Sequence, residues 1–333
     1  MNNLYSSTNS KIKNIYFVGI AGSGMSGIAE VLHNLGYKIS GSDLKSNNAS
    51  KRLQKLGCKI NSKHLGRNVI NAQAVVFSSA IDIDNPELKK ARELKIPIMP
   101  RAEMLAEIMR FRFGIAISGT HGKTTTTSLI THILNTAKLD PTYIIGGILK
   151  SSGINAKLGE SQYLIAEADE SDASFLHLNP MMSVITNIDK DHIKTYGSYN
   201  KLVKTFLDFA SNLPFYGVCI VCKDDPGVIK ILDKINRPLI SYGLNDKSDV
   251  RAINISQNKR RIIFKVIHNK YNKSFLVNLN LIGKHNVLNT LAAISVAFEL
   301  GIKIDTIKKS LKTFAGVARR LEYCGLLNID NKN

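Results

Sequence analysis

Short apolar runs alternate with segments of helical period along most of the chain, the pattern of an α/β architecture with parallel sheets. The first unit reads "NIYFVGI", a glycine-rich turn, the helical "MSGIAEVLHNLGY" and then "KISGSD". "AQAVVFSSA" and a helix from Pro86 to about Lys95 follow, and "IPIMPRAEMLAEIMRF" closes the series, which puts a domain boundary near Arg110 to Phe113. A second series, "GIAISG", "YLIAEADE", "MSVITNID", "GVCIVC" and "PLISYG", predicts another mainly parallel sheet. The stretch from Arg251 to Gly283 has no helical period and predicts antiparallel strands joined by Asn/Lys turns. "HNVLNTLAAISVAFELG" returns to helix, with Gly301 as its C-terminal cap.

Composition narrows the picture only slightly. A length of 333 residues with 44% hydrophobic content allows two domains with cores of their own. There is no apolar run of about 18 residues to cross a membrane, and the first residues lack the apolar core of a secretory signal. The formal charge of +19 raises nucleic-acid binding as a reading, but the lysines are scattered and no basic run is interleaved with aromatics. The charge is better read as a solvated lysine-rich surface that helps gather anionic substrates. Of the four cysteines, Cys58, Cys219, Cys222 and Cys324, the middle two form a CxxC inside a strand. Positions three apart in a strand face opposite ways, so buried thiols in a reducing cytoplasm are expected rather than a metal site.

The chemistry concentrates at strand ends. Gly22-Ser23-Gly24-Met25-Ser26-Gly27 is a G-x-G-x-x-G between a strand and a helix, with Asp43 at the end of the next strand. Such a turn, with free helix N-terminal amides, suits a diphosphate-bearing nucleotide, and the acid can reach a ribose. Gly119-Thr120-His121-Gly122-Lys123-Thr124 is a shortened phosphate loop: its amides would wrap the β-phosphate of ATP, Lys123 would neutralise the β- and γ-phosphates, and the Thr124 hydroxyl would ligand Mg²⁺. Two acid clusters close apolar strands downstream, Glu167, Asp169, Glu170 and Asp172, then Asp189 and Asp191 with His192. That is where a phosphoryl-transfer site needs metal-binding carboxylates. Asn286 and Asn289 lie one turn apart at a helix start, where reading an adenine edge and capping the helix are both open.

Taken in order, "GIAGSGMSGIAEVLHNLGYKISGSD", "RAEMLAEIM", "SGTHGKTTTT", "EADESDASF", "TNIDKDH", "LPFYG", "GKHNVLNTLAA" and "FAGVARRLE" resemble the Mur ligases, ATP-dependent amide-forming enzymes of peptidoglycan precursor synthesis. The resemblance runs from about residue 12 to the end. It implies a Rossmann-like UDP-sugar domain over 1–111, a central ATPase domain over 112–316, and a hinge with the start of an amino-acid-binding domain over 317–333. The substrates implied are UDP-N-acetylmuramate and L-alanine with ATP and Mg²⁺, the "GSGMSGIAE" loop favouring alanine over the amino acids or peptides of sister and recycling ligases.

Carried over by residue, the UDP-sugar would meet Gly22, Ser23, Gly24, Met25, Gly27 and Asp43. ATP would meet Gly119, Thr120, His121, Gly122, Lys123, Thr124 and Thr125, with His285 and Asn289 by the adenine and Arg319 approaching from the hinge. Thr124 and Glu167 would hold one metal and His192 a second, and Lys123, Glu167 and His192 would be the catalytic set. The family usually carries an acid soon after that histidine, where this chain has Ile193-Lys194, and the carbamylated lysine of sister ligases aligns near Phe206. The chain stops short of the family's third domain, so it is expected to be a fragment that binds nucleotides and forms little amide alone. The rival from another class is an NAD-dependent oxidoreductase built on the first glycine turn, which leaves the phosphate loop and both acid clusters without a role.

Overall fold

The computed structural model, which describes residues 12–258 and 261–317, gathers the apolar runs into two sheets. The first has five parallel strands, β1 (Asn14–Val18), β2 (Lys38–Ser42), β3 (Lys59–Asn61), β4 (Ala74–Phe77) and β5 (Ile98–Pro100), in the order β3-β2-β1-β4-β5. Its helices are α1 (Ser23–Asn34), α2 (Asn48–Lys55), α3 (Pro86–Glu93) and α4 (Arg101–Met109). The winding reverses between β1 and β4, so the crevice of an open parallel sheet lies at the carboxyl end of β1, where the glycine turn stands.

The second sheet has ten strands: β6 (Phe113–Ser118), β7 (Thr142–Leu149), β8 (Ile154–Lys157), β9 (Tyr163–Glu167) and β10 (Met182–Ile185), then β11 (Val218–Cys222), β12 (Leu239–Gly243), β13 (Val250–Gln257), β14 (Ile262–His268) and β15 (Lys273–Leu279). Their order is β15-β14-β13-β12-β11-β10-β6-β9-β7-β8. Its helices are α5 (Lys123–Thr136), α6 (Ile193–Tyr196), α7 (Tyr199–Ser211), α8 (Pro226–Leu232), α9 (Lys284–Glu299) and α10 (Ile304–Thr313). The central strands are parallel and apolar on both sides, as strands covered on both faces must be. The margins are antiparallel: β13, β14 and β15 at one side, as the alternation after Arg251 predicts, and the β7–β8 hairpin at the other. Cys219 and Cys222 fall on opposite faces of β11, and Cys58, Cys219 and Cys222 are free, buried thiols. Among the described residues no helix is long and apolar enough to cross a membrane.

One apolar cluster runs through both sheets. Phe17 of β1, with Met25 and Ile28 of α1, continues into Ile144 of β7, Ala156 of β8 and Leu164 of β9, and on to Phe206 and Phe209 of α7. The other face of the large sheet packs Ile117, Ile165 and Val184 against Leu129, Ile130 and Ile133 of α5 and Leu291 and Ile294 of α9.

A buried histidine marks the far end of this second core. The His268 ring lies 4.5 Å from Phe298 and 4.7 Å from Tyr271 between centroids, and neither ring nitrogen has a hydrogen-bond partner. Burial pushes its pKa below the ordinary 6.5; Glu299 and Asp249 raise it in part, while Lys270 opposes them. The unfolded chain therefore takes up this proton first as the pH falls, and stability contributed by the neutral ring is lost below about pH 6.5. His268→Phe is expected to flatten the drop in thermal midpoint between about pH 7.5 and 5.5; an unchanged slope would remove His268 as its cause.

Candidate functional site

The phosphate loop joins the end of β6 to α5, and its two glycines do what side chains there could not. Gly119 has φ 129° and Gly122 φ 85°, backbone conformations that favour glycine. The segment after β10 grips the loop from beside it. The Asn187 side-chain oxygen accepts from the His121 amide at 2.8 Å, its amide group donates to the His121 carbonyl at 2.9 Å, and its carbonyl accepts from the Thr120 amide at 3.2 Å. The Thr186 hydroxyl lies 2.6 Å from the His121 carbonyl, and the Asp189 amide donates to the Thr120 hydroxyl. The sequence suggests that all the loop amides wrap phosphate, but those of Thr120 and His121 are committed to Asn187. The first turn of α5 differs, since its amides have no acceptor within the helix.

Lys123 folds across this loop. Its Nζ donates to the Gly119 carbonyl at 2.6 Å and lies 2.8 Å from each oxygen of Glu170. Glu170 is only 2% exposed; burial raises its pKa and Lys123 pulls it partly back. Beside them the Thr124 hydroxyl donates to Glu167 Oε2 at 3.2 Å, and the Gly146 amide donates to Oε1 at 2.8 Å.

The two acid clusters are thereby sorted by partner. In the first, Glu167 meets Thr124, Glu170 meets Lys123, Asp169 pairs with Arg101 at 3.0 Å, and Asp172 accepts from the Ser174 amide. Burial works to raise Asp169, but the hydroxyl and amide of Ser171, then Arg101 and Lys123, hold it below the usual range. In the second cluster His121 Nε2 stands 3.4 Å from Asp189 and 3.8 Å from Asp191, all three exposed. His192 is exposed at the start of α6 with φ 58°, apart from the Thr124–Glu167 pair's hydrogen bonds. Among the described residues no group of three His, Cys, Asp or Glu side chains is arranged to hold a metal.

Next to the loop opens a cavity of about 400 Å³, lined by Gly122, Thr125, Cys222, Tyr242, His285 and Asn289 among others. Asn289 backs the loop: a Cβ on Gly122 would stand 2.5 Å from its Oδ1. Its amide donates to Asn286 Oδ1, and Asn286 in turn donates to the Ile282 carbonyl, so the asparagine pair anchors the start of α9 as well as lining the cavity. Arg319 lies outside the described residues.

The glycine turn of the first sheet is braced by Asp43, a contact the sequence reading did not include. Asp43 accepts from the amides of Ala21 at 2.9 Å and Lys45 at 3.0 Å, so its carboxylate staples the turn to the end of β2. Met25 turns its side chain into the apolar cluster. Ser23 opens α1, and its side chain is not among those described. Gly24 leaves room for Arg101, and Gly27 for the second domain, since a Cβ there would lie 3.1 Å from Ala156 Cβ and 3.2 Å from Ile144 Cγ2. Between the two sheets lies a cavity of about 540 Å³, with Ala21, Ser26, Asn47 and Arg52 on one wall and Thr124, Gly147 and Asn155 on the other. It joins the glycine turn to the phosphate loop. Arg52 pairs with Glu30 of α1 and reaches the Ala156 carbonyl, tying that wall to β8.

Arg101 and the Thr186–Asn187 brace are contacts of this region that residue types alone did not single out. Their segments appear in the resemblance, but nothing in "RAEML" or "TNID" states which partner each side chain takes.

The chain matches the family model described as Mur ligase family, catalytic domain, over residues 14–113, and the Mur ligase middle domain over residues 117–297. It is 66% identical to a UDP-N-acetylmuramate–L-alanine ligase of Vesicomyosocius okutanii, over 97% of this chain and 69% of that protein. Among solved structures it is similar to the UDP-N-acetylmuramate–alanine ligase of Thermotoga maritima, with 29% identity and a TM-score of 0.83 over 94% of this chain and 71% of that one. A murein peptide ligase of Psychrobacter arcticus matches with 26% identity and a TM-score of 0.84 over 95% and 71%.

Proposed function

The chain belongs to the Mur ligase family, and from that premise we propose that it serves the ATP-dependent joining of L-alanine to the carboxylate of UDP-N-acetylmuramate in peptidoglycan precursor synthesis. The observation that carries this reading is the cavity between the sheets, which has a diphosphate-type glycine turn at one wall and Thr124 of the phosphate loop at the other. A sugar acid held by its nucleotide at the first could present its carboxylate to ATP held at the second. The division into 1–111 for the UDP-sugar, 112–316 for ATP and 317–333 as hinge belongs to the same proposal. So does a cytoplasmic setting, with which free buried thiols agree.

In this reading the first-turn amides of α5 receive the β-phosphate, and Lys123 moves from Glu170 toward the β- and γ-phosphates. Thr124 and Glu167 fit Mg²⁺, because a hydroxyl and a carboxylate converge there as hard oxygen donors beside the phosphates. When bound, the ion would neutralise charge on the transferring phosphoryl group. His192 remains the proposed ligand for a second metal. The muramyl carboxylate attacks the γ-phosphorus and ADP leaves, giving an acyl phosphate; the amine of L-alanine then attacks the carbonyl and inorganic phosphate leaves. The carboxylate is activated by phosphorylation, so no protein nucleophile is required. His285 and Asn289 would stand by the adenine in the smaller cavity.

The fold alone would suit a murein peptide ligase equally well, given the near-equal TM-scores. The 66% identity to an alanine-adding enzyme is what favours alanine.

Ligand-dependent melting tests the reading. UDP-N-acetylmuramate, and separately ATP with Mg²⁺, should each raise the thermal midpoint, by an amount equivalent to about 2.7 kcal/mol at a hundredfold excess over Kd. NADH should have no effect. A rise with NADH alone would replace the ligase reading with that of an oxidoreductase.

A further inference from the structure

Arg101 begins α4, directly after the proline that ends β5, and its guanidinium lies 18% exposed between the two domains. Nη2 donates to Asp169 Oδ2 at 3.0 Å, the one hydrogen bond the side chain makes among the described residues. The other arm turns toward the glycine turn: a Cβ on Gly24 would stand 2.8 Å from Arg101 Nη1 and 3.2 Å from its Cδ. That crowding gives Gly24 a reason to be glycine. It also sets a cation against the first turn of α1, where the helix already presents free amides and a partial positive charge. No acidic residue occupies that first turn to balance it.

We propose that Arg101 is a binding residue for the diphosphate of the sugar nucleotide, and that it exchanges Asp169 for that diphosphate when the ligand enters. The inference rests on the UDP-sugar reading above and deepens it. The guanidinium has five N–H donors in a rigid fork, which match phosphate oxygens in pairs, and the single bond to Asp169 leaves most of them available. Asp169 keeps its charge without Arg101, because the amide and hydroxyl of Ser171 also hold it. Asp169 is therefore a resting partner for the arginine, and it competes with the ligand. The same dipeptide continues into Glu170, the partner of Lys123, so each of the two phosphate-binding cations rests on one of two adjacent acids.

A purely structural role, as a tie between domains, makes a different prediction, and calorimetric titration of the full chain separates the two. Arg101→Gln should weaken both UDP and UDP-N-acetylmuramate by at least about tenfold, with the affinity for ATP and Mg²⁺ unchanged. Asp169→Asn should bind UDP and UDP-N-acetylmuramate as tightly as the wild type or more tightly. Equal weakening in Asp169→Asn and Arg101→Gln would make the pair a domain tie and overturn the proposal. So would wild-type UDP affinity in Arg101→Gln. A loss for UDP-N-acetylmuramate with none for UDP would move the contact to the muramyl carboxylate and equally overturn it. If Arg101→Gln does not fold, Asp169→Asn decides alone, since weaker binding there is incompatible with competition. A wild-type chain that binds neither UDP ligand would overturn this inference together with the functional reading, whereas the outcomes above leave that reading standing.

Discussion

Lys123→Met is expected to lower the affinity for ATP with Mg²⁺ by about a hundredfold or more, the usual consequence of losing one partner of a largely desolvated charge pair. Lys123 is the cation that spans the loop, anchored on the Gly119 carbonyl and aimed at Glu170, and its side chain is 18% exposed. The same substitution leaves Glu170 buried without a counter-charge. Burial already raises that carboxyl, and Lys123 is the main influence pulling it back, so its folded-state pKa should rise further in the variant. A carboxyl with a raised folded pKa gives stability that is present below its unfolded value near 4.5 and lost as the pH rises through the folded value. Wild type shares the first part of this loss, because its own Glu170 is raised above 4.5, so Lys123→Met should lose stability relative to wild type once the pH passes the wild-type folded pKa of Glu170. Adding Glu170→Gln should recover much of that stability and none of the ATP affinity. Calorimetric titration and denaturation midpoints measure the two effects separately. Wild-type ATP affinity in Lys123→Met would remove the loop from the nucleotide site.

Gly119→Ala should be the most damaging single-methyl change in the loop. The added Cβ would stand 2.0 Å from Thr186 Oγ1 and 3.0 Å from the amides of Thr186 and Asn187, at a φ of 129° that L side chains rarely adopt. Strain of this kind costs about 1–3 kcal/mol before any clash is counted, and here the obstacle includes backbone atoms that cannot rotate away. The brace from Thr186 and Asn187 would be pushed off the loop, so the thermal midpoint should fall and the response to ATP should vanish together. Alanine at Gly36, with φ 93° and nothing within 4 Å of its Cβ, isolates the backbone strain and should leave the ATP response intact. If Gly119→Ala binds ATP normally, the loop geometry described above is not what holds the nucleotide.

Much of this was legible where local chemistry dictates structure. The central strands read as uninterrupted apolar runs because both faces are covered, and the loop glycines could be read because no other residue serves at those backbone angles. The β7–β8 hairpin was not legible. Gly146-Gly147 interrupts "TYIIGGIL", and its residues are chosen to pack against α1, a partner more than a hundred positions upstream. The acid clusters were visible, but not their division of labour. In "EADESD" each carboxylate takes a different partner, and those partners come from α5, from α4 and from the turn itself. Asp43 shows what spacing alone leaves out: it suggests a ribose contact and is silent on the amides of Ala21 and Lys45 that the same carboxylate also holds. The pairing of Arg101 with Gly24 depends on how two separate helices meet, which residue type does not encode.

The meeting of Gly27 with Ile144 and Ala156 also bears on how the chain is made. As the polypeptide leaves the ribosome, the first sheet is complete once β5 and α4 have emerged, but the strip of α1 around Gly27 still lacks its cover. That cover, Ile144 and Ala156, follows the end of α4 at Met109 by only 35 and 47 residues, or on the order of a few seconds at common translation speeds. Until then the nascent chain carries a sticky apolar seam, the kind of surface that holding chaperones engage. A ribosome stalled just before Ile144 should display a protease-sensitive first sheet, and one stalled after β9 a resistant one.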